Sequence, residues 1–286
     1  MESARCVICR DMARCTACGM AVSGFHHVGV RKPGLSGSSV MHYSKECGHR
    51  VDIPVAVTGA SQLSPPAVYH GGPVWKDGYR WFNIFWGSFW QSNSWVARIG
   101  KAVKDIESDP SYSGELRQYG VGMGKLAGDY IVGTNPTSSV SAGDIGKEIQ
   151  LLIRSASIPD LGTEGAYNIF LPPGVSATLS GDRSCSVFCD YHDTVDGNHG
   201  PFFTCEPYPC QSGCNQCNSD PFDTLTQGLS EEMVELKTDM NPGTGWVIGN
   251  EEICDYCDQH FECNRITTSE YVNAWYDNSS GSCWTP

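Results

Sequence analysis

LSEEMVELKTDM, residues 229–240, carries an apolar and an acidic pattern on one period. Leu225, Leu229, Met233, Leu236 and Met240 recur every three or four residues, which predicts a helix with one buried face. Thr224 or Thr226 is expected to cap its start, because a hydroxyl there can accept from an otherwise unsatisfied backbone N–H. Glu231 and Glu235 stand one turn apart, with β-carbons about 5 to 6 Å from each other, so both can reach one ion. Glu232 lies about 100° round the helix. The bland alternative is a solvated acidic face whose charge Lys237 offsets.

Outward from this helix the chain alternates between strand and helix patterns. Residues 79–87, YRWFNIFWG, are aromatic and bounded by glycines, as a central strand would be. Val96, Ile99, Val103 and Ile106 then follow helical spacing, with Ser92 or Ser94 as the cap. A strand is expected near residues 129–133. A helix in SAGDIGKEIQLLIRSAS comes next, capped by Ser141 and striped by Ile145, Ile149, Leu152 and Ile153, and the strand AYNIFLPPG ends at Pro172. This order predicts an α/β (α+β) domain with a mixed sheet and packing helices. Trp75, Trp81, Trp86, Trp90 and Trp95 crowd this region; sugar stacking is one use for them, and burial on a two-faced sheet is the plainer one.

The net charge of −13 disfavours nucleic acid and anionic membrane as partners, since both would repel the surface. No apolar run approaches the roughly 20 residues that span a bilayer. Cys185, Cys189, Cys205, Cys210, Cys214, Cys217, Cys254, Cys257, Cys263 and Cys283 are confined to the last hundred residues. Ten is even, so an oxidising compartment and up to five disulfides are expected, stapling a disulfide-rich C-terminal third. The sequon at Asn278 suits glycosylation in that compartment. The start, MESARCVICRDMARC, lacks the apolar core of a secretion signal, although the cysteine usage farther on looks secretory.

Residues 1–66 read as a Cys/Gly/Ser-rich extension, and residues 67–286 as the main domain. The C-x2-C-x5-C-x2-C in the extension, from Cys6 to Cys18, has a spacer shorter than usual for a zinc knuckle pair.

Two resemblances follow from these segments. In H-E-x-x-H zinc hydrolases the ligands stand where Glu231 and Glu235 stand here, and the general base stands where Glu232 does. The strand–helix order leading to such a helix also resembles a zincin catalytic domain in outline. More specifically, YHGGPVW, NIFWGSFW, QYGVG, IFLPPGV, FCDYHDTV and LSEEMVELKTDMNPGTGWVIGNEEICDYC resemble, in this order, the phosphate-induced-protein/EXORDIUM family. That family's S-H-E-x-x-E, T-D-P, G-W and E-I-x-D-x-C pieces correspond to Ser230, Glu232, Glu235, Thr238, Asp239, Gly245, Trp246, Glu252, Ile253, Asp255 and Cys257. Glu231 replaces the family histidine.

The resemblance implies a secreted, cell-wall or extracellular protein without a firmly assigned activity; with the motif histidine replaced by Glu231, the leading expectation is a non-catalytic protein that acts through extracellular protein or glycan partners or by assembly, including with copies of itself. An all-carboxylate site suits Ca2+ better than Zn2+. Glu252 and Asp255 are expected to complete it, and His192 to supply nitrogen if the ion is zinc. The rival reading is a metal-dependent peptidase in which Glu232 activates water; a third is a structural subunit of an extracellular assembly. A serine nucleophile has no G-x-S-x-G elbow to support it, and cysteines so dense are expected to be oxidised.

Overall fold

A computed structural model of the chain describes residues 66–209, 214, 220–257 and 264–286, together with the backbone of three strands nearer the start. Those strands, Phe25–His27, Ser39–Ser44 and Arg50–Pro54, form an antiparallel sheet of their own. The proposed knuckle cysteines lie outside the described residues, as do Cys210, Cys217 and Cys263.

The main domain is built on a five-stranded mixed sheet. Its strands are β1 (Arg80–Trp86), β2 (Lys125–Val132), β3 (Gly165–Phe170), β4 (Tyr191–Thr194) and β5 (Phe202–Glu206). They lie in the order β2-β1-β3-β5-β4. Four run parallel, and β4 alone is antiparallel at the edge. The helix α1 (Trp95–Ser108) links β1 to β2, and α2 (Ala142–Arg154) links β2 to β3. These two crossovers travel in opposite directions across the sheet, so right-handed connections put their helices on opposite faces. The two cores agree: Trp81, Phe85, Ala166 and Phe170 pack with Ile99 and Val103 of α1, whereas Phe82, Ile84, Tyr167 and Ile169 pack with Ile145 and Ile149 of α2.

Caps follow local chemistry with two departures from the sequence reading. Ser141 caps α2 as expected, in a reciprocal box with Asp144. For α1, Ser94 holds the cap position without a side-chain bond, and Asn93 Oδ1 accepts the Trp95 N–H at 2.9 Å instead. The third helix, α3 (Pro221–Thr238), begins earlier than its apolar stripe suggests. Asp220 accepts the Phe222 N–H at 2.9 Å, and Pro221 occupies the first helical position, where its missing N–H costs nothing. Thr224 and Thr226 lie inside the helix and donate back to the carbonyls of Asp220 and Asp223.

The expectation of one buried face on α3 is overturned. Every residue from Thr224 to Thr238 is buried. One side packs on the sheet's α1 face, and the other is roofed by the C-terminal segment bearing Val272, Trp275, Tyr276 and Trp284. A disulfide between Cys257 and Cys283 ties this roof down, and Cys189–Cys214 ties the loop before α3 to the start of β4. Cys185 is also disulfide-bonded.

Cys205 and Cys254 correct the ten-cysteine reading: both are buried thiols in no disulfide. Cys205 points into the α2-side core from the middle of β5, and Cys254 lies 3.9 Å from the Glu231 carbonyl. Each fills apolar volume, as buried cysteine commonly does. The tryptophans take their plainer reading, with Trp75, Trp81, Trp86 and Trp90 in the core and Trp95 packed against it. No helix among the described residues is long and apolar enough to cross a membrane.

Candidate metal centre

The acidic residues of α3 are interior groups. Glu231, Glu232 and Glu235 have no exposed surface, which excludes the solvated-face alternative. Lys237 is also fully buried, and it does not offset them. Its Nζ lies 2.8 Å from Glu107 Oε2 on α1 and donates to Ser113 Oγ at 3.2 Å. Trp81 Nε1–H donates to the same Glu107 oxygen. The lysine therefore fastens α3 to α1.

His192, Glu252 and Asp255, expected from sequence as further ligands, converge on these glutamates. The histidine sits on edge strand β4, and its Nδ1 is 3.0 Å from Glu232 Oε2 and 3.8 Å from Glu235 Oε2. Its Nε2 is 3.2 Å from the Asp239 carbonyl and 3.4 Å from Glu252 Oε1. Glu252 is placed by a short hairpin whose first strand, Trp246–Ile248, pairs with Glu251–Glu252. The turn before it is held by Asp239, whose carboxylate accepts from the backbone N–H groups of Gly243, Thr244 and Gly245. Asp255 is half-buried, and its N–H donates to Glu235 Oε1 at 3.2 Å.

Two sets of donor atoms result. One oxygen each from Glu231, Glu235 and Asp255 lie within 4.8 Å of one another, and so do one atom each from His192, Glu232 and Glu235. Glu235 belongs to both. Burial, then the neighbouring carboxylates, push Glu232 and Glu235 well above the usual carboxylate range. Burial likewise drives His192 down to about 4, against its bond to Asp239, and lifts Asp239 to about 6 despite the three N–H donors. Both trends mark a site that disfavours its own charges.

Several residues of the centre escaped the sequence reading. Asp190 and Glu206 lie beside it and raise the Glu232 pKa, and the Glu206 carboxyl is itself pushed up by burial and by Asp190. Across the sheet, the register row Asp129, Asn83, Asn168, Thr204, His192 is polar from one edge to the other. Asn83 donates to Asp129 at 2.8 Å, Asn168 to Asn83 at 2.9 Å, and Thr204 to Asn168 at 3.2 Å. The signal was readable: an asparagine at the centre of each of two aromatic or aliphatic strands, YRWFNIFWG and AYNIFLPPG.

Access to the centre is limited. A small cleft beside the Cys189–Cys214 bridge, with room for little more than a water, is lined by Asp190 and Glu206 but by none of Glu231, Glu232 and Glu235. His199 is exposed and lines a separate cleft with Arg154 and Asp160. At the sequon, Asn278 is half-buried; its Nδ2 donates to the Ala67 carbonyl at 3.1 Å and its Oδ1 accepts the Ala67 N–H at 2.7 Å. That amide joins the C-terminal roof to the start of the domain.

No protein-family model, no curated protein and no solved structure matches this chain.

Proposed function

We propose that the chain is an extracellular, EXORDIUM-like protein in which α3 holds a structural divalent cation, calcium in preference to zinc, and that it works by binding or assembly at its surface. The observation that carries this reading is the convergence of Glu231, Glu235 and Asp255 oxygens within 4.8 Å, the two glutamates fully buried. Carboxylates removed from water cost several kcal/mol each unless they are neutralised or paired. Lys237, the one cation in LSEEMVELKTDM, is committed to Glu107. A set made only of oxygen suits a hard cation. The ion would join α3 to the segment carrying Asp255, and so to the disulfide-tied roof. The disulfides and the six family-like segments support the extracellular part of the reading.

The test is metal analysis of the purified chain joined to thermal unfolding with calcium and with a chelator. Calcium is expected to bind and to raise Tm, by an amount equivalent to about 2.7 kcal/mol at a hundredfold excess over Kd. A chain that holds no ion and melts identically in calcium and chelator would sink the reading.

The peptidase alternative has one observation in its favour. Glu232 stands at the general-base position, and its Oε1 is buried without a hydrogen bond. Its opponent is the closure over the helix, which leaves the Glu232 side chain without exposed surface. Metal-dependent cleavage of a peptide library, abolished in Glu232→Gln, would reinstate it.

A further inference from the structure

We propose that the centre binds two cations bridged by Glu235: the one above, and a second held by His192 Nδ1, Glu232 and Glu235. The proposal rests on the preceding reading for the first ion only. The second has its own support in the imidazole. Nε2 faces the Asp239 carbonyl, which only accepts, so the ring proton belongs on Nε2 and the Nδ1 lone pair faces Glu232 Oε2 at 3.0 Å. A ring nitrogen and a carboxylate oxygen this close must hold a proton or a cation between them. A histidine whose far N–H is tied to a backbone carbonyl is also the usual arrangement of a metal ligand, since that bond sets the tautomer and aims the lone pair.

Glu235 is oriented as a bridge. Its Oε1 turns to the Asp255 side, accepting that residue's N–H at 3.2 Å, and its Oε2 turns to His192 Nδ1 at 3.8 Å. Glu232 Oε1 and Glu235 Oε2 are buried and make no hydrogen bond, so each has a lone pair available inside the centre. The donors also differ: three carboxylates suit calcium, whereas imidazole with two carboxylates suits a borderline ion such as zinc. With Glu232 as a ligand, it is not free to serve as a general base.

The experiment strips the full chain with chelator, equilibrates it with calcium and zinc chlorides, desalts it, and counts both elements per chain. One calcium and one zinc are expected, with an imidazole signature in X-ray absorption at the zinc edge. Asp255→Asn should lose the calcium and keep the zinc. His192→Gln, checked for native circular dichroism, should lower zinc at least tenfold and keep calcium. Calcium alone would overturn this inference and leave the calcium reading standing; neither ion would overturn both. Zinc without imidazole scattering, or zinc retained in full by His192→Gln, would place the second ion elsewhere and end the proposal, whereas calcium retained by Asp255→Asn would overturn the first site.

Discussion

Asp109 shows how one residue at the foot of α1 is made to favour its charge. It is nearly buried, which pushes its carboxyl up, but Ser111 Oγ and the N–H groups of Thr267, Ser111 and Tyr112 donate to it and together hold it below the usual range. A carboxylate with a folded pKa below its unfolded value contributes stability above the unfolded pKa and loses it as pH falls through the folded one. Asp109→Asn should therefore lower Tm by a constant amount above about pH 5, with the gap from wild type narrowing toward pH 2. Parallel Tm curves across that range would contradict it. The contrast with α3 is instructive: four donors hold Asp109 below the usual range, whereas burial and neighbouring carboxylates lift Glu232 and Glu235 well above it.

At the scale of the element, α3 is amphipathic in sequence and buried on all sides in the fold. Its polar residues are accommodated singly: Ser230 Oγ accepts the Asn273 N–H at 2.8 Å, Gln227 donates to Asn273, and Thr238 donates to the Val234 carbonyl. Gly228 is part of the same fit. A β-carbon there would fall 1.8 Å from Asp190 Oδ2, at the start of β4, so the helix passes this carboxylate only because the side chain is missing. Gly to Ala in a free helix stabilises by about 1 kcal/mol. Gly228→Ala should instead destabilise by about 1 to 3 kcal/mol, the usual cost of overpacking, as read from urea unfolding. A neutral or stabilised variant would show that Asp190 can move away at little cost. The helix ends were the part least legible in sequence. The stripe begins at Leu225, but Asp220 and Pro221 set the first turn by capping and by a fixed φ, signals that do not repeat.

Across the whole molecule, the sheet brings His192 on β4 to α3, and the roof over α3 depends on the Cys257–Cys283 bridge. That bridge closes a loop with a sequence separation of 26, worth about 3.5 kcal/mol of chain entropy. Replacing both cysteines by serine should lower stability by about this amount and weaken calcium binding several-fold, because Asp255 lies just before Cys257. Calorimetry with and without calcium checks both effects. Unchanged calcium affinity in a destabilised variant would separate the roof from the site.

The alternation of strand and helix, the core stripes of α1 and α2, the Ser141 cap and the spacing of Glu231, Glu232 and Glu235 were determined by the sequence itself, because each depends on residues a few positions apart. His192, Glu252 and Asp255 were legible as candidates by residue type alone. What only the tertiary structure decided is which groups meet and which are kept from water. No periodicity could show that α3 would be roofed on its outer side, that Lys237 would leave its neighbours for Glu107, or that Cys205 and Cys254 would stay reduced. Those outcomes depend on contacts between segments far apart in the chain, and it is the burial they impose that turns an acidic helix face into an interior cluster of carboxylates.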